Sequence, residues 1–246
     1  FEVSLEPGES ITLLAMAGFS PADKMLTKFL SNFTTPDDFE LASAQSRKLI
    51  EDVTSPAFTV SRLPLLDAYA RQNYLDNVLR GGIPHLLPSK SGPTLLHLYS
   101  RRHGDIERDY NYFELAPHPL STGPGNYRDI CQNSRYNTWF YPHLLDQEIR
   151  MYVELLQADG YNPLSIKGYH WFLPEGEDAL QFCPTEDKIA QRQFLSILER
   201  NFHPGEILAW ANLHELVIEE RLYWLDEILS HCDRQLVAHG HEGGYW

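Results

Sequence analysis

Asp146-Gln-Glu-Ile-Arg-Met-Tyr-Val-Glu-Leu-Leu-Gln-Ala158 sets the reading of the chain: Ile149, Tyr152, Val153 and Leu156 recur at helical spacing, and Gly160 follows as a stop. The pattern repeats on both sides. Downstream, Thr185 precedes a segment carrying Ala190, Phe194, Ile197 and Leu198, and a last one runs through Ile218, Leu222, Leu225, Leu229 and Cys232. Upstream, Leu66, Tyr69, Tyr74, Val78 and Leu79 mark a helix ended by Gly81-Gly82. Ser20-Pro21 and Thr35-Pro36 each place a cap before a proline at the first helical position, with Asp23 and Asp38 three residues after the cap. The second of these helices carries Phe39, Ala42, Leu49, Ile50 and Val53. Residues 83–142 are irregular and polar, with Gly, Pro and Asn throughout. A loop region of that size in a compact domain is functional or disordered, and its many aromatics argue against disorder.

At the N-terminus Phe1, Val3 and Leu5 alternate with polar residues, Pro7-Gly8-Glu9-Ser10 reads as a turn, and an apolar run follows to Met16. Two strands are not a stable unit alone, so this pair is expected to close a sheet whose other strands lie before Phe1. With Gly243-Gly244-Tyr245-Trp246 at the other end, both termini read as cut. The expectation is a mainly α chain: a strand pair over 1–18, a helical linker over 19–62, and a helical domain over 63–246. An (α/α) toroid suits helices alternating with long loops, although periodicity by itself supports only a helical domain.

Composition narrows the partners. A hydrophobic share of 43% with 22% charged residues is that of a folded globular chain. Against 34 Asp and Glu stand 20 Lys and Arg, a formal charge of −14, which disfavours nucleic acid and anionic lipid. Cys131, Cys183 and Cys232 are odd in number and widely spaced, which fits a reducing, cytoplasmic setting better than a disulfide framework. No apolar run reaches the ~20 residues of a membrane span, and no leader is visible. Asn32-Phe33-Thr34 is a sequon by chance.

The polar chemistry concentrates between His97 and Trp139. Phosphate-loop, nucleophile-elbow and zinc-helix motifs are missing from the sequence, and Gly123-Pro124-Gly125 lacks the rest of a dinucleotide fingerprint. What stands out is Tyr99-Ser-Arg-Arg-His-Gly-Asp-Ile-Glu-Arg-Asp-Tyr-Asn-Tyr112 followed by Gly125-Asn-Tyr-Arg-Asp-Ile-Cys-Gln-Asn133. Carboxylates, amides and guanidinium groups bind vicinal hydroxyls, aromatic faces cover the C–H side of a sugar ring, and glycosidic cleavage needs an acid for the leaving oxygen. Asp105, Glu107, Asp109 and Asp129 are the candidate acids; pairing with Arg101, Arg102, Arg108 and Arg128 is the competing structural role. His239-Gly-His241-Glu242 has loose spacing and reads as a solvated loop, so no metal is expected. Trp210 and Trp224 read as core. Glu215, Glu219, Glu220, Asp226 and Glu227 read as a solvated helix face.

These two polar stretches, with Asp159-Gly-Tyr-Asn-Pro-Leu164 and the Gly240–Trp246 ending, resemble the large cellobiose-phosphorylase-like proteins. Those belong with the inverting glycoside phosphorylases, the β-1,3-glucan phosphorylases among them. The likeness covers residues 70–246, and 1–18 look like the close of that group's β-sandwich. It implies the last strands of a β-sandwich, a helical linker and the first part of an (α/α)6 toroid, incomplete because fewer helices are present than a full ring needs. It also implies a glycosyltransferase-type reaction with one general acid, an oligosaccharide or disaccharide substrate, inorganic phosphate as co-substrate and no cofactor. A homo-oligomer is compatible with the group. The group's Arg-Asp-x-x-Gln-Asp stretch falls on Arg128-Asp129-Ile130-Cys131-Gln132-Asn133, which puts Asn133 where the acid belongs. An amide does not donate that proton, so either Asp129, the first choice for the catalytic role, or another acid such as Asp109 supplies it, or the chain is inactive. Arg108, Asp109, Asn126, Tyr127, Arg128, Gln132 and Asn133 become substrate-binding candidates, with Asp105 and Glu107 as further acids. A glycoside hydrolase on the same scaffold and a non-catalytic sugar-binding protein are the alternatives.

Overall fold

The structure, a computed structural model, describes residues 2–15, 17, 20, 23–99 and 115–239, with the backbone alone for Lys24, Asp129, Asn133 and His239. Its contacts divide the chain into two units, residues 1–55 and 56–246.

In the first unit the Pro7-Gly8 turn forms, with the Glu9 N–H donating to the Glu6 carbonyl at 3.0 Å. The sandwich strands expected around it are not found: the described residues 2–15 contain no strand. Their apolar side chains, Val3, Leu5, Ile11, Leu13 and Leu14, are exposed, so no face is buried to hold a pairing register. Helices α1 (Asp23–Leu30) and α2 (Pro36–Thr54) follow. The Asp38 carboxylate accepts from the Thr34 and Thr35 N–H groups at 3.0 and 2.8 Å and from the Thr35 hydroxyl at 2.8 Å, which satisfies donors at the start of α2. Those bonds, the Thr35 hydroxyl first, hold its carboxyl below the ordinary range.

The second unit runs α3 (Pro64–Gly81), β1 (Ile83–Leu87), β2 (Thr94–Leu98), β3 (Gly125–Asn126), α4 (Tyr127–Ser134), α5 (Asn137–Phe140), α6 (Gln147–Glu154), β4 (Ser165–Phe172), α7 (Lys188–Leu198), α8 (Pro204–Leu213), α9 (Arg221–Ser230) and β5 (Asp233–His239). Strands β1 and β2 form an antiparallel hairpin, and β3, β4 and β5 a second antiparallel sheet with β4 in the middle. Buried Ile166 lies before, and buried Tyr169 and Trp171 after, a register shift between Ile166 and Gly168, where a bulge re-aims β4. Trp171 is fully buried, and its indole N–H donates to the Pro88 carbonyl at 2.9 Å. Its backbone pairs with Phe202 in both directions at 2.8 Å.

Helices α7, α8 and α9 supply most of the remaining core through Ala190, Phe194, Leu198, Ile207, Ala211, Leu225, Ile228 and Leu229. Trp210 and Trp224 belong to this layer as read from the sequence, and each indole finds a carbonyl, Ala190 at 3.1 Å and Phe182 at 2.9 Å. The cap of α7 is Asp187, whose carboxylate accepts from the Ile189 and Ala190 N–H groups; Thr185 acts one step earlier, on the Asp187 N–H.

The architecture is therefore α+β, and the mainly α reading with an incomplete (α/α)6 toroid is corrected. A ring of that kind packs helix on helix throughout. Here the apolar side of the helical layer is answered by β4 and β5, and β1–β2 occupies the start of the expected loop region. Among the described residues no helix is long and apolar enough to cross a membrane.

Gly82 stops α3 at φ 83°, where its N–H returns to the Val78 carbonyl at 2.8 Å. A Cβ there would lie 2.8 Å from the Leu98 carbonyl oxygen and 2.9 Å from that of His97. Gly92, at φ 107°, has open space around it. Gly82→Ala should therefore lower stability by about 3 kcal/mol or more, against about 1 kcal/mol for Gly92→Ala, which carries backbone strain alone. Urea midpoints of the two variants check the order.

Candidate functional site

Every residue of β2 is buried, which draws His97 into the interior with Leu95, Leu96 and Leu98. A buried imidazole needs a partner, and it comes from the first turn of α6. Nε2 of His97 lies 3.1 and 3.2 Å from the two carboxylate oxygens of Glu148. The Asn137 amide, at the start of α5, donates to Glu148 Oε1 at 2.6 Å. His97 and Glu148 are 9% and 6% exposed, so this pairing is made out of water, where removing one partner is costly.

Helix α4 closes the cluster from the other side. Its inner residues are Tyr127, Ile130 and Ser134: the Tyr127 hydroxyl donates to the Tyr152 carbonyl at 3.0 Å, and the Ser134 and Tyr152 hydroxyls are 2.7 Å apart. Burial, and then the Glu148 charge, push the Tyr152 phenol far above its ordinary range, so it stays protonated. The Cys131 thiol is likewise raised, by burial first and Glu148 second, which argues against a thiolate nucleophile.

Beside the cluster lies a cavity of about 30 Å³, lined in part by His97, Thr122, Gly123, Ile130, Met151 and Lys167. It has room for about one water molecule. A sugar ring is far too large for it. On the exposed side of α4 and α5, Arg128 and Gln132 lie one helical turn apart and Trp139 is 83% exposed.

Of the residues singled out from the sequence, Asn126 is half-buried at the N-terminal end of α4 and Tyr127 turns inward to α6. Asp129 and Asn133 belong to α4, with side chains outside the described residues, as are Asp105, Glu107, Arg108 and Asp109 altogether. His241 and Glu242 are outside them too, with the side chain of His239. Among the described residues no group of three or more His, Cys, Asp or Glu is placed to hold a metal ion. Glu215, Glu219, Glu220 and Glu227 are exposed, whereas Asp226 is half-buried and its carboxyl is raised by burial, partly offset by His85.

Sequence reasoning passed over Glu148 and Asn137. The available signal was the spacing Glu148, Met151, Tyr152, Leu155, which puts a carboxylate on the buried face of α6. Compared with known proteins, the chain matches no family model, no curated protein and no solved structure.

Replacing Asn137 by Ala leaves Glu148 Oε1 with His97 alone and should cost about 1–2 kcal/mol. Gln132→Ala, at an exposed position, should stay within about 0.5 kcal/mol of the wild type. Denaturant midpoints of both variants test the difference.

Proposed function

We propose that this chain is the sugar-recognising part of a cytoplasmic carbohydrate-active enzyme, an inverting glycoside phosphorylase acting on β-glucosides. The observation that supports it best is the division of labour on α4. One side, through Tyr127 and Ser134, is bonded to the helix that carries buried Glu148, and the other exposes Arg128 and Gln132 one turn apart. An exposed guanidinium and amide at that spacing suit a hydroxyl pair or a phosphate. Asp129 sits next to Arg128 in the same helix.

In this reading a phosphate oxygen attacks the anomeric carbon from the face opposite the glycosidic oxygen. The bond to that oxygen breaks as the Asp129 carboxylic acid gives it a proton, and the products are a sugar 1-phosphate of inverted configuration and a shortened saccharide. Arg128 orients phosphate, while Gln132 and Asn133 take hydroxyls. The resemblance in Tyr99–Asn133 carries the choice of phosphate over water. Asn133 at the expected acid position favours a second reading, a non-catalytic sugar-binding protein.

The native protein carrying this chain, given β-glucan oligosaccharides and inorganic phosphate, should release sugar 1-phosphate only when phosphate is present. Asp129→Asn should lower that rate by about 100-fold or more, the usual worth of a general acid. Turnover indifferent to phosphate would point to hydrolysis, and calorimetric binding without turnover to the second reading.

A further inference from the structure

Helix α8 begins at an unusual cap. His203 is 8% exposed, and its Nδ1 accepts the Gly205 N–H at 3.3 Å, while the Glu206 carboxylate accepts the His203 N–H at 2.8 Å. With Nδ1 as acceptor, the neutral ring carries its proton on Nε2, and that buried N–H has no partner among the described residues. Two more imidazoles surround it: His118 with ring centroids 5.1 Å apart, and His170, on β4, at 6.5 Å and nearly perpendicular.

The backbone is equally tight. A Cβ on Gly205 would lie 1.7 Å from the Pro119 carbonyl oxygen and 2.4 Å from His118 Nδ1, so the first turn of α8 lies directly against the segment leading to β3. That segment is also tied to the residue that follows β2. Tyr99 donates its N–H to the Ser121 carbonyl at 2.7 Å and accepts the Leu120 N–H on its hydroxyl at 3.3 Å, while the Ser121 hydroxyl is buried without a partner among the described residues.

We propose that His118, His170 and His203 form an acid-sensitive latch that ties residues 116–124 to the start of α8. A proton added at His203 Nδ1 removes the lone pair that accepts the Gly205 N–H and sets a donor against a donor. It also places a positive charge among two other imidazoles, with Arg200 from the end of the preceding turn and Lys167 from β4 close enough to act on His170. The nearby anion, Glu206, is bound by the Arg200 guanidinium and gives little relief. The geometry thus favours a neutral His203, and the electrostatics agree. Burial first, then His118 and His170, push the His203 imidazole down to about 3, partly offset by Glu206. Burial lowers His170 as well.

The sign follows directly. Between the ordinary imidazole value of about 6.5 and about 3, an opened latch binds a proton that the closed latch refuses, so closure is complete above that range and weakens as pH falls. From His203 alone the opening constant rises about tenfold between pH 7.5 and 5.5.

Hydrogen exchange of the 246-residue chain, corrected for the intrinsic pH dependence of exchange, reads this at peptides within 115–126. The expected result is a protection factor falling about tenfold from pH 7.5 to 5.5 in the wild type. His203→Asn, which keeps a capping acceptor without a titrating ring, should lose most of that fall and keep only the shallower response of His170. His170→Gln leaves the cap intact and should show a weaker response than the wild type. Protection in the wild type that does not change with pH would overturn the latch, as would a His203→Asn profile that falls equally.

Discussion

A carboxylate closed off from water has to be answered by donors, and the second unit is arranged around one such demand. Glu148 is met by His97 from β2 and Asn137 from α5, so three separate stretches of chain are committed to one point. The surroundings follow from it. Tyr152 lies one turn further along α6 and must keep its proton near that charge, Ser134 shares the Tyr152 hydroxyl, and Tyr127 reaches the Tyr152 carbonyl. Helix α4 is thereby fixed by its inner side, with Arg128 and Gln132 on its exposed side.

A second support comes from β4. Its neighbour β5 returns directly from α9, and the Lys90 N–H in the β1–β2 turn donates to the Cys232 carbonyl at 2.8 Å, so the hairpin bearing His97 is tied to the end of the last helix. Arg234 on β5 spans to α6, donating to both Glu154 carboxylate oxygens at 3.0 Å and lying 4.4 Å over the Tyr169 ring. Sheet, hairpin and α6 are therefore joined through side chains as well as through packing.

Much of the helical part was legible. The α3 stop at Gly81-Gly82, the Thr35-Pro36 start and the inward stripe of α7 are local signals, set by capping chemistry and a single apolar face. Helix α6 shows where such reading fails. Ile149, Val153 and Leu156 keep helical spacing yet are exposed, while Met151, Tyr152 and Leu155 are buried. Two apolar stripes compete on that helix, and only the tertiary partners decide between them. The strands were missed for related reasons. In β2 every residue is buried, so no alternation is present, and β4 is interrupted by its bulge at Gly168. The acid cluster joins Glu148 to Asn137, 11 positions away, and to His97, 51 positions away, a proximity that periodicity does not express. Candidate residues chosen as a polar run were gathered by sequence neighbourhood, whereas the buried polar centre is gathered by the fold.

The central claim is that His97 and Glu148 act as one coupled unit in the interior. A double-mutant cycle in stability, using His97→Ala, Glu148→Ala and the pair, measures that coupling directly. A coupled pair gives an interaction of about 1–3 kcal/mol, with the double variant less destabilised than the sum of the singles. Effects that add within about 0.3 kcal/mol would contradict it.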